Sequence, residues 1–208
     1  MRPHTLWLAG GLLAAPFTVL PAQSASPSPV AVIVGGPREG AKAPEFKLPW
    51  ANRETVGAAD APYELWRDRG KVVVLAFYPR DFTQGCTAEM KSFADQYDTM
   101  FGPDVVLLGI NADSLETHRR FAASLDLPFR LLSDPDQQVA RKYGSNGEDG
   151  RPRRTIFVVG PDGRIRYRNL HFNALDPRHY TRYHQKRYPN QWHTTAHYRY
   201  CWFARDPG

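Results

Sequence analysis

Residues 71–78 read Lys-Val-Val-Val-Leu-Ala-Phe-Tyr, an apolar run rich in β-branched and aromatic side chains that demands cover on both faces. Such a strand belongs inside a sheet. Pro79 ends it, because proline has no N–H to give to a ladder. Beyond it, apolar residues recur at Met90, Phe93, Tyr97, Met100 and Phe101, spacings of three and four that predict a helix of about four turns. Cys86 falls in the first turn of that helix. There it lies beside N–H groups with no intrahelical partner and at the positive end of the helix dipole, and both favour the thiolate. A free cysteine is more often a small buried hydrophobe, so position alone does not make Cys86 reactive.

The strand-then-helix pattern repeats along the chain. Residues 104–111 form a second buried-type strand, and Ser114 is a plausible N-cap for a helix carrying Leu115, His118, Phe121, Ala122 and Leu125 on one face. A short strand is expected over 129–132, a helix over 135–143 and a strand over 155–159. Pro161-Asp162-Gly163 then turns the chain into 164–167, which reads as the antiparallel arm of a hairpin. Alternating β and α with an antiparallel edge predicts an α/β fold of the three-layer sandwich type. A chain of 208 residues, 42% hydrophobic and 23% charged, suits one such domain with extensions.

Both ends differ from this middle. Residues 1–24 read as a signal peptide, with Arg2 ahead of an apolar stretch over 6–20 and Ala22-Gln23-Ser24 as a small-residue cleavage site. That predicts an exported protein, periplasmic or secreted. A Ser, Pro and Gly-rich linker follows over 25–39, and the domain proper is expected over 40–170. Residues 171–208 form an irregular basic and aromatic extension holding five of the seven His and five of the ten Tyr. From Leu170 onward there are six Lys or Arg against two Asp, so most of the net charge of +6 belongs to the tail. A domain so nearly neutral gives no reason to expect a nucleic-acid partner. His193 and His197 have the spacing of a helical ligand pair, but without supporting carboxylates or a second clear pair no metal site is expected. Two cysteines, Cys86 and Cys201, make no disulfide scaffold.

The residues around Cys86 go further. Pro79, Thr83 and Cys86 stand in the spacing P-x-x-x-T-x-x-C, which resembles the active-site signature of the peroxiredoxins. The fuller run F-Y-P-x-D-F-T-x-G-C-T-x-E is similar to the Q-type (bacterioferritin comigratory protein) group of the AhpC/TSA superfamily, and residues 40–49 resemble that family's opening G-x-x-A-P-x-F-x-L-P. The resemblance runs from about Gly40 to about Asn169. It implies a thioredoxin-like three-layer α/β sandwich with an N-terminal hairpin extension, its turn near 52–57 and a helical turn over 63–69. It also implies a thiol peroxidase that reduces hydrogen peroxide and organic hydroperoxides through a cysteine sulfenic acid, with no cofactor.

The residue types suit that chemistry. A thiolate can attack one peroxide oxygen and hold it as a sulfenic acid, given a cation and donors for the charge gathering on the leaving oxygen. Thr83, on the same loop, can offer its hydroxyl to both thiolate and peroxide, and Pro79 would shape the loop and shield the thiolate from water. The resemblance assigns the cation to Arg154, three residues before Phe157 in an R-x-x-F context; Arg153 is the alternative if the register slips by one. Glu89 matches the acidic residue of G-C-T-x-E and would orient Arg154 or cap the helix start, and Tyr78 would support the loop or simply pack. Many Q-type members carry a resolving cysteine five positions after the first, where this chain has Lys91. The expected reductant is therefore an external thiol, from a thioredoxin-like protein or a small molecule, with Cys201 the candidate resolving residue otherwise. A monomer or weak homodimer is expected. Two other readings stand beside this one: a thioredoxin-fold thiol-disulfide oxidoreductase, and an exported non-enzymatic binding protein on the same fold.

Overall fold

The computed structural model describes residues 35–176, Gly102 and Glu148 excepted. The expected signal peptide, all of the linker before Gly35, and the extension from Pro177 onward with Cys201 lie outside the described residues.

The apolar run over 71–78 becomes β4, Val72–Phe77, buried on both faces as its composition requires. It pairs in parallel with β5, Val105–Asn111, and antiparallel with β7, Thr155–Val159. Alternate side chains of the pleat go to opposite cores. Val74, Ala76 and Tyr78 pack toward the helix that carries Cys86, while Val73, Leu75 and Phe77 pack on the other face. Full burial of each large apolar side chain contributes about 1.5–3 kcal/mol, so this alternation fixes the strand's register firmly.

Outward from β4, β5 pairs in parallel with β6, Arg130–Ser133, whose far edge takes β2, Trp50–Ala51, antiparallel. On the other side β7 pairs with β8, Ile165–Asn169. The sheet order is β2-β6-β5-β4-β7-β8. The steps β4 to β5 and β5 to β6 run the same way along the sheet, and right-handed crossovers then place both connecting helices on one face. These are α1, Gln84–Asp95, and α3, Leu115–Ser124, and residues of both enter the Cys86 core. The return to β7 carries α4, Gln138–Lys142, which packs on the opposite face. The result is a three-layer α/β sandwich of thioredoxin-like type.

Several elements differ in extent from the sequence reading. The helix after Cys86 ends at Asp95, and a separate turn, α2, spans Tyr97–Met100. Gln96 lies between them at φ −112°, ψ 11°, and its side-chain amide donates to the Ser92 carbonyl, the acceptor its own backbone N–H would take in a continuous helix. The helix expected over 135–143 starts only at Gln138, because Gln137 is left-handed at φ 52° and closes a turn back to Asp134 O. The N-terminal hairpin is divided. β1, Lys47–Leu48, pairs with β3, Tyr63–Glu64, in a small sheet of its own, whereas β2 joins the main sheet and closes its turn through Asn52 N–H to Thr55 O. The helical turn expected over 63–69 is β3 followed by a 3-10 helix, Leu65–Asp68.

Candidate active site

Thr83 is the N-cap residue of α1, and the first bond of the helical ladder runs from Thr87 N–H to Thr83 O at 2.8 Å. The N–H groups of Gln84, Gly85 and Cys86 therefore precede the ladder and face the loop. Cys86 is buried, only 1% exposed. The Thr83 side chain does not cap the helix. Its hydroxyl donates instead to the Arg80 carbonyl at 3.1 Å, so its one hydrogen is occupied and its lone pairs remain open to a donor.

Arg154 arrives through strand register. Phe77 of β4 lies opposite Thr155 of β7, which brings the residue ahead of β7 to the place where the Pro79 loop leaves β4. Arg154 Nη2 then sits 3.3 Å from Cys86 Sγ, and its Nη1 donates to Glu89 Oε2. Glu89 stands three residues after Cys86 on α1 and is fully buried. Its other oxygen, Oε1, has no hydrogen-bond partner among the described residues. Arg153 turns elsewhere and donates from Nη2 to Gly144 O at 2.6 Å. The register thus separates the two arginines, and only Arg154 meets the thiol.

Pro79 is half-buried at the start of the loop and Tyr78, just before it, is fully buried. Burial first, and the neighbouring Asp81 carboxylate second, hold the Tyr78 phenol well above its ordinary pKa. It stays protonated and donates to Asp81 Oδ1 at 2.7 Å. Asn111 Nδ2 donates to the same oxygen at 2.9 Å, and His118 Nδ1 lies 2.8 Å from Oδ2. The other ring nitrogen of His118 lies 3.2 Å from the Leu132 carbonyl, which can only accept, so this contact takes its hydrogen from Nε2. The Asp81 backbone N–H donates to Asp113 Oδ2 at 2.7 Å.

Cys86, Arg154, Glu89 and Thr83 are thus gathered at one end of the sheet, with Tyr78 and Pro79 behind them. Lys91 points outward to Asp95 at 3.0 Å, and Cys201 lies outside the described residues. Sequence reasoning did not single out Asn111, Asp113 and His118 as parts of this loop's support. His118 was legible only as a member of the buried helical face; its partner Asp81 is 37 positions away, and spacing carries no signal across that separation.

What the arrangement can do is hold a sulfur nucleophile at a helix start beside a guanidinium that a buried carboxylate keeps in place. A sequence model of the AhpC/TSA family matches residues 40–168. The chain is 34% identical over 133 residues to peroxiredoxin Bcp of Bacillus subtilis (strain 168), covering 61% of this chain and 80% of that protein. It is 31% identical over 180 residues to the chloroplastic peroxiredoxin Q of Oryza sativa subsp. japonica, covering 84% of this chain and 79% of that one. Among solved structures it is similar to the reduced 2-Cys peroxiredoxin of Plasmodium vivax, with a TM-score of 0.58 and 26% identity over 66% of this chain and 87% of that chain.

Proposed function

The chain belongs to the AhpC/TSA family, and on that premise we propose that it is a thiol-dependent peroxidase in which Cys86 attacks the O–O bond of hydrogen peroxide or an organic hydroperoxide. The observation that carries this reading is the 3.3 Å contact between Arg154 Nη2 and Cys86 Sγ, with the same guanidinium tied to buried Glu89. A guanidinium stays charged at any working pH and offers several donors in one plane, so Arg154 can serve both the thiolate and an arriving peroxide. Thr83, its hydrogen given to Arg80, accepts from the peroxide O–H.

The step balances simply. The Cys86 thiolate gives an electron pair to the nearer peroxide oxygen, an S–O bond forms as the O–O bond breaks, and the leaving oxygen departs with the bonding pair and takes a proton as water or alcohol. Cys86 is left as a sulfenic acid. Donors already aimed at the leaving oxygen need no reorganisation when its charge develops. An external thiol then condenses with the sulfenic acid, releasing water and forming a mixed disulfide, and a second thiol reduces it. Lys91, in the place of a nearby resolving cysteine, favours this external route over an internal one. Cys201 is the only other thiol of the chain. A thiol-disulfide oxidoreductase is disfavoured, since Glu89 holds the second position of a C-x-x-C motif and is committed to Arg154. We place the enzyme outside the cytoplasm, on the strength of Arg2, the apolar stretch over 6–20 and the small residues after it, and as a monomer or weak homodimer using a small thiol or thioredoxin-like reductant.

The test is direct. Purified protein receives one equivalent of hydrogen peroxide, and Cys86 is followed by mass spectrometry alongside Cys86→Ser and Cys201→Ser. Cys86 should gain one oxygen far faster than a free thiol does; oxidation at only the free-thiol rate would falsify the peroxidase reading. Turnover with an added thiol should survive Cys201→Ser, and its loss would make Cys201 the resolving residue.

A further inference from the structure

We propose that Asp113 is a positioning residue for peroxide reduction, fixing the peptide plane between Arg80 and Asp81 and thereby aiming the Thr83 hydroxyl; the inference rests on the peroxidase reading of Cys86. The Thr83 hydroxyl has one hydrogen, and the Arg80 carbonyl takes it at 3.1 Å. The direction of that carbonyl therefore decides where the lone pairs of Thr83 Oγ1 point. In a planar trans peptide the carbonyl and the following N–H point in opposite directions, so holding one end sets the other. The following N–H is that of Asp81, and Asp113 Oδ2 accepts it at 2.7 Å.

Asp113 is itself built in. Its own N–H donates to Asn111 Oδ1 at 2.6 Å, and its carbonyl accepts from Ser133 Oγ at 2.7 Å. These anchors sit at the ends of β5 and β6, so the loop's orientation is referred to the sheet rather than to solvent. Tyr78, Asn111 and His118 also grip Asp81, but through its carboxylate, leaving the plane ahead of it to Asp113. The Arg80 guanidinium stands 3.8 Å from Asp113 Oδ1 and is 56% exposed, a pair too wet to account for a buried-side role. Asp113 touches neither sulfur nor substrate in this scheme. It acts through Thr83.

The full chain is compared with Asp113→Ala, Asp113→Asn, Thr83→Val and the Thr83→Val/Asp113→Ala double variant. Two rates are read on Cys86: oxidation by hydrogen peroxide and alkylation by iodoacetamide, which needs the thiolate but not a peroxide-aligning hydroxyl. Asp113→Ala should slow oxidation about tenfold or more, as misplacement of an aligning group does, while alkylation stays near the wild-type rate. Asp113→Asn keeps an acceptor for the Asp81 N–H and should restore oxidation. The double variant should be slower than Thr83→Val by no more than about twofold, since two residues acting as one unit do not add. Should Asp113→Ala not fold, Asp113→Ser, whose hydroxyl ends one bond short of the N–H, takes its place with the same expectation. Wild-type oxidation by Asp113→Ala, failure of Asp113→Asn to restore it, multiplying losses in the double variant, or alkylation falling in step with oxidation would each overturn the proposal. A wild-type Cys86 no faster than a free thiol is a different result, visible before any variant is compared, and removes the peroxidase reading beneath it.

Discussion

Arg154 serves two acceptors at once, the sulfur of Cys86 and the carboxylate of Glu89, and the geometry of guanidinium is what permits it. A lysine there would keep the charge but offer a single compact ammonium on a flexible stem, unable to span both partners in one plane. Arg154→Lys should therefore lower the rate of Cys86 oxidation by hydrogen peroxide about a hundredfold, the scale at which a single charge-stabilising donor is lost. Stopped-flow mixing with excess peroxide reads this, and a lysine variant as fast as wild type would mean that charge alone suffices. At this scale the sequence was uneven. Cys86 could be placed at a helix start from spacing, but Arg154 was legible only through its R-x-x-F context, because the pair stand 68 positions apart. Asp113 carried no signal, since its part is one hydrogen bond to a backbone N–H 32 positions earlier.

Among the elements, strands β4, β5 and β7 were legible because burial on both faces leaves a continuous apolar run, which few other structures require. Helix ends were not, because they turn on single side chains. Gln96 breaks the run after α1 by giving its amide to Ser92 O, and Gln137 delays α4 by adopting a left-handed backbone. The smallest elements depend on ionic staples that periodicity cannot see. Lys47 and Glu64 are direct partners across β1 and β3, with Nζ 2.6 Å from Oε1, and Arg67 adds a second contact at 2.8 Å to Oε2. The hydrogen bond from Lys47, followed by the Arg67 contacts and opposed by burial, holds the Glu64 carboxyl below its ordinary range. A carboxyl with a lowered folded pKa contributes stability that is fully present above its unfolded value of about 4.3 and is lost as pH falls through the folded value. Glu64→Gln should thus melt below wild type near neutral pH, with the gap closing as the buffer is taken down to about pH 3. A gap that stays constant across that range would show the staple to be silent.

Over the whole molecule, the site exists only because the fold brings together a loop at 79–83, a helix start, the far ends of β5 and β6 and the residue ahead of β7. The change of composition at His171 put the domain's limit at 170, but the packed chain continues. Phe172 is 5% exposed, its ring stacks on Phe93 of α1 at 6.2 Å and 16°, and its N–H donates to Arg154 O at 3.2 Å. One buried aromatic in an irregular segment leaves no period to detect, which is why composition gave no sign of Phe172. Phe172 thereby touches both the helix that holds the nucleophile and the backbone of the residue that holds the cation. Removing its ring leaves a cavity beside α1 that the backbone bond to Arg154 cannot refill. Phe172→Ala should cost about 3 kcal/mol of unfolding free energy, with a lower urea midpoint and an unchanged slope. Phe172→Leu, which keeps most of the volume, should lose much less. If the alanine variant unfolds at the wild-type midpoint, the segment after β8 does not belong to the core, and Arg154 must be held from β7 and Glu89 alone.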